Sequence, residues 1–277
     1  VLHARKSSKG VECIMKNSFG FKIIGQIVCI VSGFFALFPL LLMLKRSFDN
    51  GGINNYKKVL KAVNPLRNYL NSIIVVGATL IIVAVVISLA AYAFSKMRFR
   101  GSNILYFILL TGMMIPTAAM IFPLFQITKR FGLINELTSL MGPYSAMNAL
   151  FNLLILKNYY DSLPNELIEA AKIDGASSFH TFARIILPLS IPGLALALIQ
   201  TFLSAWNELQ MGMTFINNPA KQTITVVPMR FAQTMQGSYP IEVTFACLSM
   251  TLAPIIVFYI FAQKFLIAGL TAGAVKG

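Results

Sequence analysis

The sequence predicts an all-α membrane protein that crosses the bilayer six times. Three observations carry that prediction. Apolar residues make up 57% of the 277, a balance that no soluble domain keeps in solution. Six runs, Ile23–Leu44, Ile73–Ser95, Ile104–Thr128, Leu137–Leu156, Ile185–Asn207 and Val243–Gln263, contain no Lys, Arg, Asp, Glu or His. Each is about the 20 residues that a helix needs to cross the hydrocarbon core. None alternates, so a barrel reading fails, and only helices and closed barrels satisfy their backbone in lipid.

The net charge of +14 could suggest nucleic acid. Here the basic residues punctuate apolar runs instead of forming a patch, so the partner they imply is membrane lipid, not nucleic acid. Cys13, Cys29 and Cys247 have no paired spacing, and His3 and His180 have no partner cluster, so no metal site is expected. Residues 1–14 are polar, basic and unpatterned and read as an upstream or non-native extension, with Met15 the better start. No short apolar run with a cleavage site precedes the first span.

Six spans put both termini on one side. With the N-terminus inside, thirteen basic residues fall on inner segments and ten on outer ones, a small margin under the positive-inside rule. The short turn Lys96-Met-Arg98-Phe-Arg100 argues for that orientation, and the six basic residues of the first outer loop argue against it.

Taken in order, the first span leads to a loop with a clear turn signal, Asp49-Asn-Gly-Gly52. Asn71-Ser72 opens the second span, with a helix cap as the plain reading of Asn71. The third run holds Pro116 and Pro123, and Pro39 and Pro254 lie in the first and last. Such prolines free backbone carbonyls and kink membrane helices, so they are candidate hinges. Gly112, Thr117, Ala118 and Ala119 are small enough to let a neighbouring helix close in.

Residues 161–188 break the apolar pattern. They hold four of the nine acids: Asp161, Glu166, Glu169 and Asp174. They read as a short helix with Pro164 in its first turn and Ser162 as cap, a stop at Gly175, and a second helix capped by Ser177 or Ser178. The second helix carries Phe179, Phe182, Ile185 and Ile186 at helical spacing, and meets Pro188. An amphipathic helix lying on the membrane is the plain reading; a stiff handle for a partner in the water phase is the functional one. The fifth run continues straight from it, so a push on the hairpin would reach Gln200, Thr201, Ser204, Trp206 and Asn207, the most polar residues of any span. Trp206 also suits an interfacial belt.

The spacing Glu169-Ala170-Ala171, three residues, Gly175, nine residues, Ile185, one residue, Leu187-Pro188 resembles the "EAA" signature of binding-protein-dependent ABC importer permeases. The entry Asn71-Ser72 and the segment Thr223-Ile-Thr225-Val-Val-Pro228 resemble elements of the same family, while the element Trp206-Asn207-Glu208 and the end Gly269-Leu-Thr271…Gly273-Ala-Val-Lys-Gly277 are similar to sugar-transporting members, the smaller six-span permease of maltose-type carbohydrate importers. The resemblance covers residues 68–277 and implies a type I ABC importer permease fold with a cytoplasmic coupling helix. It divides the chain into a cytoplasmic segment 1–22, a first span and outer loop 23–67, a transmembrane domain 68–263 with coupling loop 157–184, and a cytoplasmic tail 264–277. It implies ATPase coupling at Glu169, Ala170, Ala171, Asp174, Gly175, Leu187 and Pro188. It implies a substrate pathway near Asn71, Gln200, Thr201, Ser204, Trp206, Asn207 and Glu208, and a loop 208–242 that meets an extracellular solute-binding protein. The implied partners are a different, homologous permease chain, making a heterodimer, and two ABC ATPase subunits that hold the ATP and Mg, in a bacterial plasma membrane.

The chain has no Gly-x-x-x-x-Gly-Lys-Ser/Thr loop, so energy must come from such a partner. An ion-coupled secondary transporter is the competing class. Proton-coupled carriers place Asp, Glu or His within the membrane, and these six runs have none. No inverted repeat is evident either. A membrane enzyme finds no nucleophile–base or metal constellation. An ABC permease for a solute other than a sugar stays open. The ten outer basic residues, against Asp49, Glu136, Glu208 and Glu242, suit an anionic oligosaccharide or an acidic face on the binding protein.

Overall fold

The computed structural model describes residues 19–97, 99–233 and 239–274. His3, Cys13, Met15, the segment 1–14, Arg98, Gly237 and Val275–Gly277 lie outside the described residues.

Among the described residues, four helices are long and apolar enough to cross a membrane unbroken. They belong to α1 (Phe19–Phe48), α3 (Pro65–Lys96), α6 (Thr138–Ser162) and α13 (Ile241–Ala274). The remaining two predicted spans are bent pairs. In the third, α4 (Ser102–Thr111) and a 3₁₀ turn Gly112–Met114 meet α5 (Thr117–Arg130) at 103°. The cause is local. The residue before a proline is pushed out of the helical region. Ile115 accordingly has ψ 120 and Pro116 ψ 135, so two extended residues separate the halves. Pro39, Pro123, Pro143 and Pro254 lie within helices that continue past them. The proline hinge expected of the third run therefore sits at Pro116.

The fifth predicted span corrects the expectation of a straight rod. The helix α8 (Ser178–Thr181), a π turn Phe182–Ile186 and α9 (Leu187–Leu189) meet α10 (Ile191–Asn207) at 75°. Pro192 has no N–H to give to the carbonyl of Pro188, and its ring crowds that carbonyl, so the chain breaks at Ser190. Three short helices lie at the end of the bundle away from the hairpin: α2 (Ile53–Ala62), α11 (Gln210–Phe215) and α12 (Val227–Gln233). The predicted hairpin's first helix, α7 (Glu166–Ile173), joins α6 to α8.

The parallel pair α3 and α6 is the most extensive contact, and α10 packs on both. Two apolar clusters divide the bundle along its length. At the loop end, Val75 and Val76 of α3, Leu140 and Tyr144 of α6, and Trp206 of α10 pack with Met211, Phe215 and Val243. At the hairpin end, Val83, Ile87 and Tyr92 of α3 meet Leu153, Leu156 and Tyr160 of α6. Gly193 is where α10 presses hardest on α6: a Cβ there would lie 2.5 Å from Cγ of Tyr159. The helix α1 runs along α13, and none of its most apolar stretch is buried.

A polar seam also lines α6. Asn152 Nδ2 donates to Thr201 Oγ1 at 3.0 Å and to the Asn148 carbonyl at 2.9 Å. Asn148 Nδ2 donates to the Tyr144 carbonyl at 2.8 Å. Inside a bilayer the Asn152–Thr201 bond ties α6 to α10, because lipid offers the amide no substitute.

Candidate functional site

The hairpin is built from backbone chemistry up. Glu166 and Glu169 occupy the first turn of α7, where carboxylates favour the positive end of the helix dipole. The expected cap is corrected. Ser162 ends α6 and donates its hydroxyl to the Tyr159 carbonyl at 2.7 Å, Pro164 lies in the link, and Asn165 precedes α7. Leu163 has ψ 138, so α6 has ended before Pro164 forces the same outcome.

The stop at Gly175 takes a specific form. The Ala176 amide donates to the Ala171 carbonyl at 2.9 Å and the Gly175 amide to the Lys172 carbonyl at 3.1 Å. This is a Schellman end, and it needs the left-handed φ of 76 that Gly175 adopts. The side chain of Ser177, not Ser178, then accepts from the His180 amide at 3.2 Å and caps α8.

The two arms share an inner face. Ile168, Ala171, Thr181, Phe182 and Ile186 are buried. Phe182 rests on Tyr92 of α3, ring centroids 5.2 Å apart. The outer face carries Glu169, Ala170, Asp174 and Gly175, all exposed, with Ile173 86% and Phe179 70% exposed among them. Two exposed large apolar side chains on a hairpin that also exposes carboxylates make a surface suited to a protein partner. Of the seven candidate coupling residues, Ala171 faces the core at 4% exposure. Leu187 is half-buried and Pro188 exposed at the start of α9.

The candidate pathway residues divide. Gln200, Ser204 and Asn207 are exposed and, at spacings of four and three, share one face of α10. Thr201 points the other way, accepting from Asn152 and donating to the Ala197 carbonyl at 2.9 Å. Trp206 is 4% exposed and stacks on Phe202 at 5.4 Å, inside the loop-end core. Glu208 accepts from Tyr144 Oη at 2.6 Å and from the Met211 and Gly212 amides at 2.8 and 3.1 Å, capping α11.

Asn71 is not a cap. The helix α3 begins at Pro65 under Asn64, and Asn71 sits in its second turn. Its Nδ2 donates to the Ala220 and Gln222 carbonyls, each at 3.0 Å. Asn68 adds bonds to Pro219 and Gln222, and Ser72 accepts from the Ile224 amide. The segment 219–224 is thereby folded onto the start of α3. Sequence reasoning passed over Asn148 and Asn152. Their signal was available as polar residues spaced by four, from Tyr144, in an otherwise apolar run. Among the described residues no group of His, Cys, Asp and Glu could hold a metal ion.

Residues 84–271 match the family described as binding-protein-dependent transport system inner membrane component. The trehalose/maltose transport system permease protein MalG of Thermococcus litoralis is 31% identical over 270 residues, covering 92% of this chain and 96% of that one. The trehalose transport system permease protein SugB of Mycobacterium tuberculosis is 32% identical over 224 residues, covering 81% and 82%. In fold, the chain is similar to one chain of the crystal structure of a bacterial ABC transporter involved in the import of the acidic polysaccharide alginate. The TM-score is 0.75 at 24% identity, over 90% of this chain and 98% of that one. These likenesses, with the multi-pass helical bundle, identify an inner-membrane permease subunit with the type I importer fold, and the chain belongs to the family of binding-protein-dependent transport system inner membrane components.

Proposed function

We propose that this chain is the permease half-pore of an ATP-driven importer that passes a sugar or oligosaccharide from an extracellular solute-binding protein into the cytoplasm. The observation that carries the reading is the outer face of the hairpin, where Ile173 and Phe179 stand exposed together with Glu169 and Asp174 in a stretch with the EAA spacing. That face suits a cleft in an ATPase subunit, where the ATP and Mg reside. Glu169, Ala170, Asp174 and Gly175 touch the ATPase; Ala171, Leu187 and Pro188 hold the hairpin's shape.

The orientation follows from it. Six crossings return both chain ends to the hairpin's side of the bundle, so the coupling reading makes the N- and C-termini cytoplasmic, and residues 264–277 a cytoplasmic tail. One hairpin per chain calls for a second one, so a homologous permease completes the pore as a heterodimer over two ATPase subunits. ATP draws the hairpins together in a rigid-body, two-state motion that opens the pore outward. The chain divides at the boundaries given by the sequence: 1–22, 23–67, 68–263 with loop 157–184, and 264–277. The exposed face of Gln200, Ser204 and Asn207 is the stretch of α10 nearest the solute. Asn71, Thr201, Trp206 and Glu208 shape the pathway's walls through the internal bonds already described. Support for a sugar comes from the relatives named for trehalose and maltose transport.

The test is a single cysteine at Ile173 in a chain with Cys13, Cys29 and Cys247 replaced, co-expressed with candidate ABC ATPases. An ATP-sensitive crosslink from Ile173→Cys supports the reading. Labelling of that cysteine from outside intact cells, with no crosslink, refutes it. Uptake of radiolabelled trehalose against a uronate oligosaccharide then reads the solute class. Preference for trehalose at low salt removes the anionic version.

A further inference from the structure

The hairpin meets the membrane helices at three places: the link 163–165 from α6, the contact with α3, and the covalent run into α10. That run passes through the break at Ser190 and a 75° bend, a poor strut for a push along its axis. The last turn of α3 offers another path. Lys96 Nζ donates to the Leu163 carbonyl at 2.8 Å and to Asn165 Oδ1 at 2.9 Å. Leu163 follows the last residue of α6, where carbonyls lack helical partners, and Asn165 immediately precedes α7. One ammonium thus bridges the end of one helix and the start of the next, across a link with no helical bonds of its own. Ser95 Oγ donates to Asp161 Oδ1 at 2.6 Å, and Lys157 pairs with the other carboxylate oxygen at 2.6 Å. Tyr92, four residues before Lys96 and on the same face of α3, supports Phe182 of the second arm. A single face of α3 therefore grips both arms of the hairpin.

We propose that Lys96 is a positioning residue that couples the hairpin to α3, so that the hairpin and α3 move as one body and the stroke enters the membrane through α3 as well as α10. This rests on the hairpin's role in coupling. The tether itself has a readout that does not. Spin labels go on Met97→Cys and Lys172→Cys, with Cys13, Cys29 and Cys247 replaced, in the assembled transporter. Distance distributions are measured without nucleotide and with trapped ATP.

In the parent the distribution stays narrow and unmoved by ATP. Lys96→Met widens it about twofold without nucleotide, and ATP then shifts it by about 2 Å, the scale of helix displacements at bistable interfaces. Lys96→Arg restores the parent behaviour. A parent distance that moves with ATP, or a Lys96→Met distribution as narrow as the parent's, overturns the proposal. Should Lys96→Met fail to assemble, Asn165→Ala carries the test. That side chain is exposed, and the variant deletes one of the two acceptors. It too must widen the distribution, and an unchanged width overturns the tether. Failure of the ATP-sensitive crosslink at Ile173 sinks the coupling role separately. The nucleotide-free widths judge the tether in either case.

Discussion

Gly193→Ala isolates the contact that seats the fifth crossing on the fourth. The added Cβ would lie 2.5 Å from Cγ, 2.7 Å from Cδ2 and 2.9 Å from Cβ of Tyr159. Carbon atoms rest at about 3.5–4.0 Å, so α6 and α10 must part by about 1 Å. The ring cannot swing clear, because the Tyr159 Cβ, fixed to the α6 backbone, is itself among the overlapped atoms. Overpacking of this kind costs about 1–3 kcal/mol, and three overlaps put it at the upper end. Alanine recovers about 1 kcal/mol of helix propensity, which leaves a net loss of about 2 kcal/mol. Gly77 of α3 is the control, because a Cβ there meets nothing within 4 Å. Thermal unfolding of the detergent-solubilised protein reads both. Gly193→Ala should lower Tm while Gly77→Ala raises it slightly, and adding Tyr159→Ala should relieve part of the Gly193→Ala loss. A Gly193→Ala protein as stable as its parent would refute the reasoning, since propensity would then outweigh the contact.

Four further outcomes follow from named contacts. Glu208→Ala removes the acceptor for Tyr144 and for two α11 amides, and should cost about 2 kcal/mol; Glu208→Gln should recover part of that loss in the same melt. Asn71→Leu strips the Ala220 and Gln222 carbonyls of a buried donor, so limited proteolysis within 216–224 should speed up about tenfold, in line with a loss of about 1–2 kcal/mol. A cleavage rate equal to the parent's would count against that clasp. Gly175→Ala must hold alanine at φ 76, a strain of about 1–2 kcal/mol that should lower uptake while leaving membrane insertion intact. Ile173→Asp places a charge on the most exposed apolar residue of the hairpin; co-purification of the ATPase should fall about tenfold or more, the scale of losing one interface anchor.

Lipid solvation made the gross architecture legible in the sequence. A bilayer charges so heavily for exposed polar backbone and ionised side chains that uncharged runs of span length have one structural meaning. The hairpin was legible for a related reason: Gly175 alone suits a Schellman end, and Ser177 suits the cap after it. The exposed face of α7 followed from charge, through Glu166 and Glu169.

What the sequence left open was decided by packing between segments distant in the chain. Pro116 breaks a crossing while Pro39, Pro123, Pro143 and Pro254 do not, and nothing in the dipeptides tells them apart. Trp206 read as an interfacial or substrate-facing residue and Glu208 as a solvated loop start, yet one is stacked in the core and the other caps α11, because α6 and the loop-end cluster close over them. The same closure separates Thr201, bonded to Asn152, from Gln200 and Ser204 beside it. Lys96 looked like one more basic residue at a membrane edge. Its two acceptors lie 67 and 69 residues further along the chain, and only the fold brings them to it.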